Sequence, residues 1–216
     1  MPRFQMKRDL IASYAAAAPV IPVVTVEDAD SAVALARTLV EAGLPVVEVT
    51  LRTSSALKAI EAIARAVPEA IIAAGTVIRP KQIEQVVEAG AKFIVTPGTS
   101  PLMAEALADA AIPAMPAAAT VSEALRLFEL GFALLKFFPA SASGGTAWLK
   151  AVSAPIPDVK FCPTGGIDAK SAPDYLACPN VVCVGGSWMV PKDAVGSRDW
   201  VRIRGLAADA SRLGAG

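Results

Sequence analysis

The sequence contains no histidine among its 216 residues. This absence excludes catalytic sites built on imidazole, including Ser–His–Asp and Cys–His arrangements, and it excludes the HExxH type of zinc site. Acid–base chemistry in this chain must therefore use a carboxylate, a lysine, a tyrosine, a cysteine or a bound water.

The chain also lacks an excess of charge of either sign and a long uninterrupted apolar run. Twenty Lys and Arg residues balance twenty Asp and Glu residues, so the basic surface of a nucleic-acid-binding domain is not expected. Hydrophobic residues make up 54% of the sequence, but Pro, Gly or charge interrupts every run that approaches the roughly 20 apolar residues of a membrane span. We expect no nucleic-acid partner and no membrane association.

The start of the chain does not have the pattern of a targeting segment. Basic residues precede an apolar stretch, but Asp9, Pro19 and Pro22 interrupt the pattern of a signal peptide. Arg3–Ala16 is interpreted instead as an amphipathic helix, and we expect a cytoplasmic protein.

Cysteine is scarce and unevenly spaced. The three cysteines are Cys162, Cys178 and Cys183, an odd number in apolar surroundings without CxxC spacing. This pattern indicates small buried core residues rather than a disulfide framework or a zinc site. We therefore expect no metal site.

What the sequence does have is a regular alternation of short apolar runs and longer helical patterns from residue 20 to residue 190. Such alternation is typical of βα units around a parallel sheet. The helical patterns include residues 28–42, 54–67, 81–89 and 101–110. The apolar runs predict eight strands, at Val20–Val24, Val46–Thr50, Ile71–Gly75, Phe93–Thr96, Ala114–Ala117, Leu134–Phe137, Lys160–Pro163 and Val181–Gly185.

Eight such units predict an α/β fold, a single-domain (β/α)8 TIM barrel over residues 1–216 with an extra N-terminal helix. The alternative is a doubly wound open sheet. It is weakened because Val24-Thr25-Val26-Glu27 follows the first strand, where a dinucleotide-binding sheet has GxGxxG. In a barrel, the chemistry lies at the C-terminal ends of the strands, so polar residues there are the candidates for function.

Lys136 is the only charged residue in the segment GFALLKFFPA, residues 131–140. A lysine in an apolar strand is costly to bury, and burial favours the neutral amine that can attack a carbonyl carbon. The alternation of the strand puts Leu134, Lys136 and Phe138 on one side without showing which side faces the barrel axis. The alternative is a strand-end lysine whose amine reaches solvent.

The second strand carries a carboxylate and a guanidinium on one face. Alternation places Glu48, Thr50 and Arg52 together and puts the valines on the other side. Glu48 could transfer protons, and Arg52 could bind a substrate carboxylate through two parallel hydrogen bonds. The alternative is a structural Glu–Arg pair. Thr76, directly after the third strand, adds a hydroxyl.

Glycine pairs follow the seventh and eighth predicted strands. They are Gly165-Gly166 and Gly185-Gly186, the second followed by Ser187. Loops at these two positions form the phosphate site of many barrels, because bare backbone N–H groups can contact an anion there. The alternative is a pair of tight turns that need only positive φ.

With these motifs the sequence resembles the 2-keto-3-deoxy-6-phosphogluconate (KDPG) aldolases, class I aldolases that also act on 4-hydroxy-2-oxoglutarate. The resemblance covers nearly the whole chain. It rests on EVTLRT (Glu48–Thr53), AGTV (Ala74–Val77), TPG (Thr96–Gly98), LKFFPA (Leu135–Ala140), FCPTGGI (Phe161–Ile167) and VGGSW (Val184–Trp188).

The resemblance implies a catalytic pair in which Lys136 forms a Schiff base with a 2-keto acid and Glu48 is the acid–base residue, acting with water. An anionic Glu48 close to Lys136 would favour the ammonium form and oppose the effect of burial. The implied reaction is reversible cleavage of the phosphorylated sugar acid to pyruvate and glyceraldehyde 3-phosphate. No metal and no organic cofactor is implied, and family members are commonly homotrimers.

The resemblance also implies binding residues for a small-molecule 2-keto acid and a phosphorylated aldehyde. Arg52 and Thr76 would hold the carboxylate end, while Pro97 and Phe138 would shape the pocket. The phosphate end would be bound by Thr164, Gly165, Gly166, Gly186 and Ser187.

Two segments depart from the pattern of the family. Ala117-Ala118 follows Pro116 where the family more often has Pro-Gly, and Ser143 stands where Asn often precedes the glycines. These changes could alter specificity at the aldehyde end.

Three other functions remain as alternatives to this interpretation. They are a sibling aldolase for the galactonate epimer, a phosphate-binding barrel isomerase or synthase, and a barrel that binds a ligand without turnover.

Overall fold

The computed structural model of the chain describes residues 2–214, with side chains from Phe4 onward. The strands are β1 (Val20–Val24), β2 (Val46–Thr50), β3 (Ile71–Gly75), β4 (Phe93–Val95), β5 (Ala114–Met115), β6 (Ala117–Ala118), β7 (Leu134–Phe137), β8 (Lys160–Pro163) and β9 (Val184–Gly186). The helices are α1 (Pro2–Ala15), α2 (Ala29–Glu41), α3 (Ala56–Ala66), α4 (Lys81–Glu88), α5 (Pro101–Asp109), α6 (Val121–Glu129), α7 (Gly145–Ser153), α8 (Ala172–Leu176), α9 (Lys192–Gly196) and α10 (Trp200–Ser211).

The strands form a ring of parallel neighbours. One run has the order β5-β4-β3-β2-β1-β9 and the other the order β6-β7-β8. The two runs meet where β5 and β6 flank Pro116, and again where bridges from Phe161 to Val181 and from Thr164 to Gly185 join β8 to the β9 region. Counting β5 and β6 as one interrupted strand gives eight positions, which confirms the predicted (β/α)8 barrel.

Three of the predicted strands differ from the observed ones, two of them substantially. The fifth is divided at Pro116, which has no N–H for the ladder. The eighth begins at Val184 rather than Val181, and Val181 contributes only an isolated bridge. Among the other strands, β4 ends at Val95, one residue earlier than predicted, and the remaining five have the predicted bounds.

Two layers of buried side chains follow from the alternation of the strands. One cluster fills the inside of the ring, and its strand residues are Ile21, Val46, Ala73, Phe93, Val95, Met115, Leu134 and Cys162, with Cys183 directly before β9. Residues of opposite parity, such as Val47 and Leu135, belong to the outer layer between strands and helices.

The prediction that the cysteines are buried core residues is confirmed. All three are buried, and all three are free thiols.

Helix α1 closes the N-terminal end of the barrel. Ile11 and Ala15 are buried in the inner cluster, and the Tyr14 ring centroid lies 5.8 Å from that of Phe93. The predicted helix is confirmed. Its amphipathic interpretation is wrong, because the apolar side chains of Phe4, Met6 and Leu10 are exposed to solvent. Within residues 2–214, no helix is long and apolar enough to cross a membrane.

Capping residues start several helices directly after the strands. The Asp28 carboxylate accepts a hydrogen bond from the Ser31 N–H at 2.7 Å, which begins α2. At α6, Thr120 and Glu123 form a capping box. The hydrogen bond from the Ala119 N–H, together with those from Thr120, holds the pKa of Glu123 below its usual value. These caps fix the chain at the C-terminal face, where the barrel carries its site.

Candidate active site

Lys136 and Glu48 face each other across the barrel. Leu134 belongs to the inner cluster and Leu135 to the outer one, so the parity of β7 points Lys136 inward. Strands β7 and β2 lie four positions apart in a ring of eight, which places them on opposite sides. The Lys136 Nζ donates to Glu48 Oε1 at 2.9 Å and to Oε2 at 3.2 Å.

This ion pair is almost fully buried, since the two side chains are 6% and 3% exposed. Burying two charges costs several kcal/mol per ion, so such a pair is weak evidence of a stabilising role. A buried amine in contact with a carboxylate is, however, the arrangement that nucleophilic catalysis with proton transfer needs. At 2.9 Å a proton can pass directly between the two groups.

Gly75 provides the space that the Glu48 carboxylate occupies. A Cβ at Gly75 would stand 2.6 Å from Glu48 Cγ and 2.8 Å from Cδ, and it would be closer still to Oε1. In protein structures, a Cβ atom is essentially never found closer than 3.0 Å to a non-bonded heavy atom. The glycine at the end of β3 therefore allows Glu48 to reach Lys136.

We expect Gly75→Ala to displace Glu48 and to lower kcat by about 100-fold, because small misplacements of catalytic groups have large effects on rate. Steady-state kinetics of the cleavage that the resemblance implies would measure this effect. Gly205→Ala is the matched control, since Gly205 lies in α10 with no atom within 4 Å of its added Cβ. It should keep full activity, and equal activity in the two variants would contradict the steric role of Gly75.

Arg52 and Thr76 meet at the mouth of the barrel. Arg52 is exposed, and its Nε donates to Thr76 Oγ1 at 3.3 Å. Thr76 has a φ of 58°, an unfavourable value for a β-branched residue. No ion pair of Arg52 occurs among the described residues, so its guanidinium can bind a carboxylate through its terminal nitrogens.

Phe138 connects the lysine with the first glycine loop. The Lys136 Nζ lies 5.5 Å from the centroid of the Phe138 ring, within the range of a cation–π interaction. The same ring packs on Gly165, where a Cβ would lie 3.1 Å from Phe138 Cε2. Pro97 is half-buried and follows Thr96 just beyond the end of β4, on the same face of the barrel.

The two glycine loops also lie side by side. Thr164 is buried and forms a bridge with Gly185, and a Cβ on Gly185 would collide with the Thr164 side chain. Gly165 and Gly166 have φ of 99° and 73°, and within residues 2–214 their amides donate no hydrogen bond. Gly186 is buried at the end of β9 and Ser187 is exposed beyond it. Free amides of this kind are suited to binding an anion.

Three comparisons with known proteins agree with one another. A model of the KDPG and KHG aldolase family matches residues 11–206. The KHG/KDPG aldolase of Escherichia coli (strain K12) is 47% identical over 192 residues, which is 89% of this chain and 90% of that protein. A 2-dehydro-3-deoxy-phosphogluconate aldolase of Pseudoalteromonas atlantica is 47% identical over 198 residues, 92% of each chain.

A solved structure extends the similarity to three dimensions. The KDPG aldolase of Legionella pneumophila, which holds pyruvate as a covalent carbinolamine intermediate, matches with a TM-score of 0.90 and 45% identity. The match covers 93% of this chain and 97% of that one. The chain belongs to the KDPG and KHG aldolase family.

For this member of the aldolase family, the barrel brings all the predicted site residues to one end, but two neighbours of the site were missed from sequence. The contact of Gly75 with Glu48 was not foreseen, because the sequence marked Gly75 only as the last residue of the third predicted strand. Cys162 lies beside Lys136 in the β7–β8 register. The only sequence signal for either was its position near the end of a predicted strand.

Proposed function

We propose that this chain is a class I aldolase. Its main reaction is the reversible cleavage of 2-dehydro-3-deoxy-6-phosphogluconate to pyruvate and glyceraldehyde 3-phosphate, and it also cleaves 4-hydroxy-2-oxoglutarate to pyruvate and glyoxylate. The observation that supports this most is the buried Lys136–Glu48 pair, which places an amine and a carboxylate 2.9 Å apart inside the barrel.

The keto acid would be oriented by the residues at the barrel mouth. Arg52 binds the substrate carboxylate with its guanidinium, and Thr76 fixes the guanidinium through the bond to Nε. This places the C2 carbonyl toward Lys136. Phe138 and Pro97 border the reacting carbons and limit the access of water.

The covalent step begins when the neutral Lys136 amine attacks C2. On addition the nitrogen passes one proton through Glu48 to the new oxygen, and Glu48 adds the proton that it took from the Lys136 ammonium, so that water leaves and an iminium forms. Glu48, directly or through water, then removes the proton of the C4 hydroxyl. The C3–C4 bond breaks, its electron pair moves to C3 to give an enamine, and the aldehyde departs.

The cycle closes by protonation and hydrolysis. Glu48 or its water protonates C3 of the enamine, which regenerates an iminium, and water attacks C2 to release pyruvate and free Lys136. Every step is assigned to a side chain of this chain or to water, so the proposed route uses no metal and no organic cofactor. The covalent intermediate replaces one difficult cleavage by several easier steps.

The phosphate end of the substrate would lie over the glycine loops. The free amides of Gly165 and Gly166 donate to phosphate oxygens. Gly186 and Thr164 shape the base of the loop, and Ser187 adds a hydroxyl.

We further propose that the chain acts as a cytoplasmic homotrimer. Sedimentation equilibrium of the purified protein would measure its mass directly.

The substrate assignment is tested by coupling pyruvate release to lactate dehydrogenase. Ser187→Ala should raise KM for the phosphorylated gluconate substrate by about 10-fold, since a hydrogen bond to a charged group is worth roughly 1.5–3 kcal/mol, and it should leave KM for 4-hydroxy-2-oxoglutarate unchanged. Ser197→Ala is the control, because Ser197 lies at the end of α9 and bonds only to its own helix.

Two results would argue against this assignment. Equal effects of Ser187→Ala on both substrates would exclude Ser187 from the phosphate end. A higher kcat/KM for the 6-phosphogalactonate epimer than for the gluconate substrate would assign the chain to the sibling activity instead.

A further inference from the structure

Two threonines in the loop between β4 and α5 bind the second half of the divided fifth strand. The Ala117 N–H donates to Thr96 Oγ1 and to Thr99 Oγ1, both at 3.0 Å. The Thr99 hydroxyl donates to the Ala117 carbonyl at 2.9 Å, and the two threonine oxygens lie 3.0 Å apart. We call Thr96 and Thr99 the threonine clamp.

The directions of these hydrogen bonds follow from the number of hydroxyl hydrogens. A threonine hydroxyl has one hydrogen and two lone pairs. Because the Thr99 hydrogen is used for the Ala117 carbonyl, Thr96 must donate to Thr99. Both polar groups of the Ala117 backbone are thereby satisfied by side chains, in a closed network whose members polarise one another.

The clamp replaces a backbone ladder that ends early. Pairing between β4 and β5 stops at Val95 and Met115, and Pro116 has no N–H to continue it. The N–H and C=O of one strand residue point to the same side, so Ala117 turns both groups toward the β4 side. Thr96 is fully buried there, which leaves Ala117 without water as an alternative partner.

On its other side, the clamped segment holds the strand of the lysine. Ala117 is the register partner of Lys136, and the Lys136 N–H donates to the Pro116 carbonyl at 2.9 Å. Segment β6 is only two residues long. The backbone of Lys136 is therefore connected to β4, on this side of the ring, through Pro116-Ala117 and the two hydroxyls.

We propose that Thr96 and Thr99 are positioning residues that hold the backbone of Lys136 in register, so that its amine meets Glu48 and the substrate carbonyl. This proposal depends on the proposed role of Lys136 as the Schiff-base residue. Neither hydroxyl contacts the reacting atoms, because each is committed to the other or to Ala117. Loss of the clamp acts on rate through the placement of the lysine.

The test is Thr99→Val, which keeps the shape of the side chain and removes the hydroxyl. We expect kcat and the rate constant of borohydride-trapped pyruvate adduct formation to fall by about 10-fold, since misplacement by an ångström can cost 100-fold, while KM for the keto acid changes little. Thr99→Ser, which restores a hydroxyl, should recover most of the rate. Thr96→Val is the second variant and should behave as Thr99→Val does.

The matched control is Thr38→Val, which removes another buried threonine hydroxyl, bonded to the Ala34 carbonyl within α2. Trapping rates are compared well below the unfolding temperature of each variant. If Thr99→Val and Thr96→Val trap pyruvate as fast as Thr38→Val, the clamp is only structural and the proposal is wrong. A wild-type protein that forms no adduct at all would instead contradict the proposed function.

Discussion

Lys136→Arg is expected to abolish the borohydride-trapped pyruvate adduct and to lower kcat by at least about 10³-fold, because the covalent route is lost. Arginine keeps a cation beside Glu48, whereas its guanidinium stays protonated and is not a nucleophile. Peptide mass mapping after reduction with pyruvate should find the adduct on Lys136 in the wild type. The variant should show none.

Lys160→Ala is the control for this experiment. Lys160 is an exposed lysine at the start of β8, paired in register with Leu134 at the far end of the barrel. It should retain both the adduct and the activity. Lys136→Met, which has no cation, serves as a second variant if the arginine disturbs the packing, with circular dichroism to verify its fold. An adduct on another lysine, or near-normal turnover without Lys136, would overturn the Schiff-base assignment.

Glu48→Gln is expected to lower kcat by about 10² to 10⁴-fold, the range over which a positioned acid–base group contributes. The amide has the size of the carboxylate and can still accept a hydrogen bond from Lys136, but it cannot carry protons. Exchange of the methyl protons of pyruvate in deuterated water, followed by NMR, reports enamine formation and should slow in parallel. The rate at which borohydride traps the iminium should also fall, because Glu48 carries protons during iminium formation.

Glu61→Gln provides the contrast for Glu48→Gln. Glu61 forms an exposed ion pair with Arg65 on α3, at side-chain exposures of 46% and 78%, and such pairs contribute little to stability. Its loss should leave proton exchange unchanged. If Glu48→Gln exchanged the methyl protons of pyruvate at the wild-type rate, another group would have to be the base.

The stability of the site variants is expected to follow from the burial of the pair. Removing one member of a buried ion pair leaves a charge without a partner, which typically costs about 3–5 kcal/mol. Lys136→Met should therefore unfold at a lower temperature than Lys136→Arg. The activity lost in both variants can then be separated from the stability lost mainly in one.

The sequence by itself determined the elements of the fold and one face of the site. The periods of two and 3.6 residues are properties of the local chain, so six of the eight predicted strands had their bounds correct to within one residue, and the placement of Glu48 with Thr50 followed from alternation alone. The first glycine pair lies just beyond β8, as predicted, whereas Gly185 and Gly186 lie within β9 and end that strand instead of following it.

Only the tertiary structure decided what these elements bring together. The inward direction of Lys136, its meeting with Glu48 across the ring and the space left by Gly75 depend on strands far apart in sequence. So does the threonine clamp, in which a loop replaces the ladder at a proline. Local periodicity carries no information on the register between distant strands, because that register is set by closure of the barrel and by packing of its core.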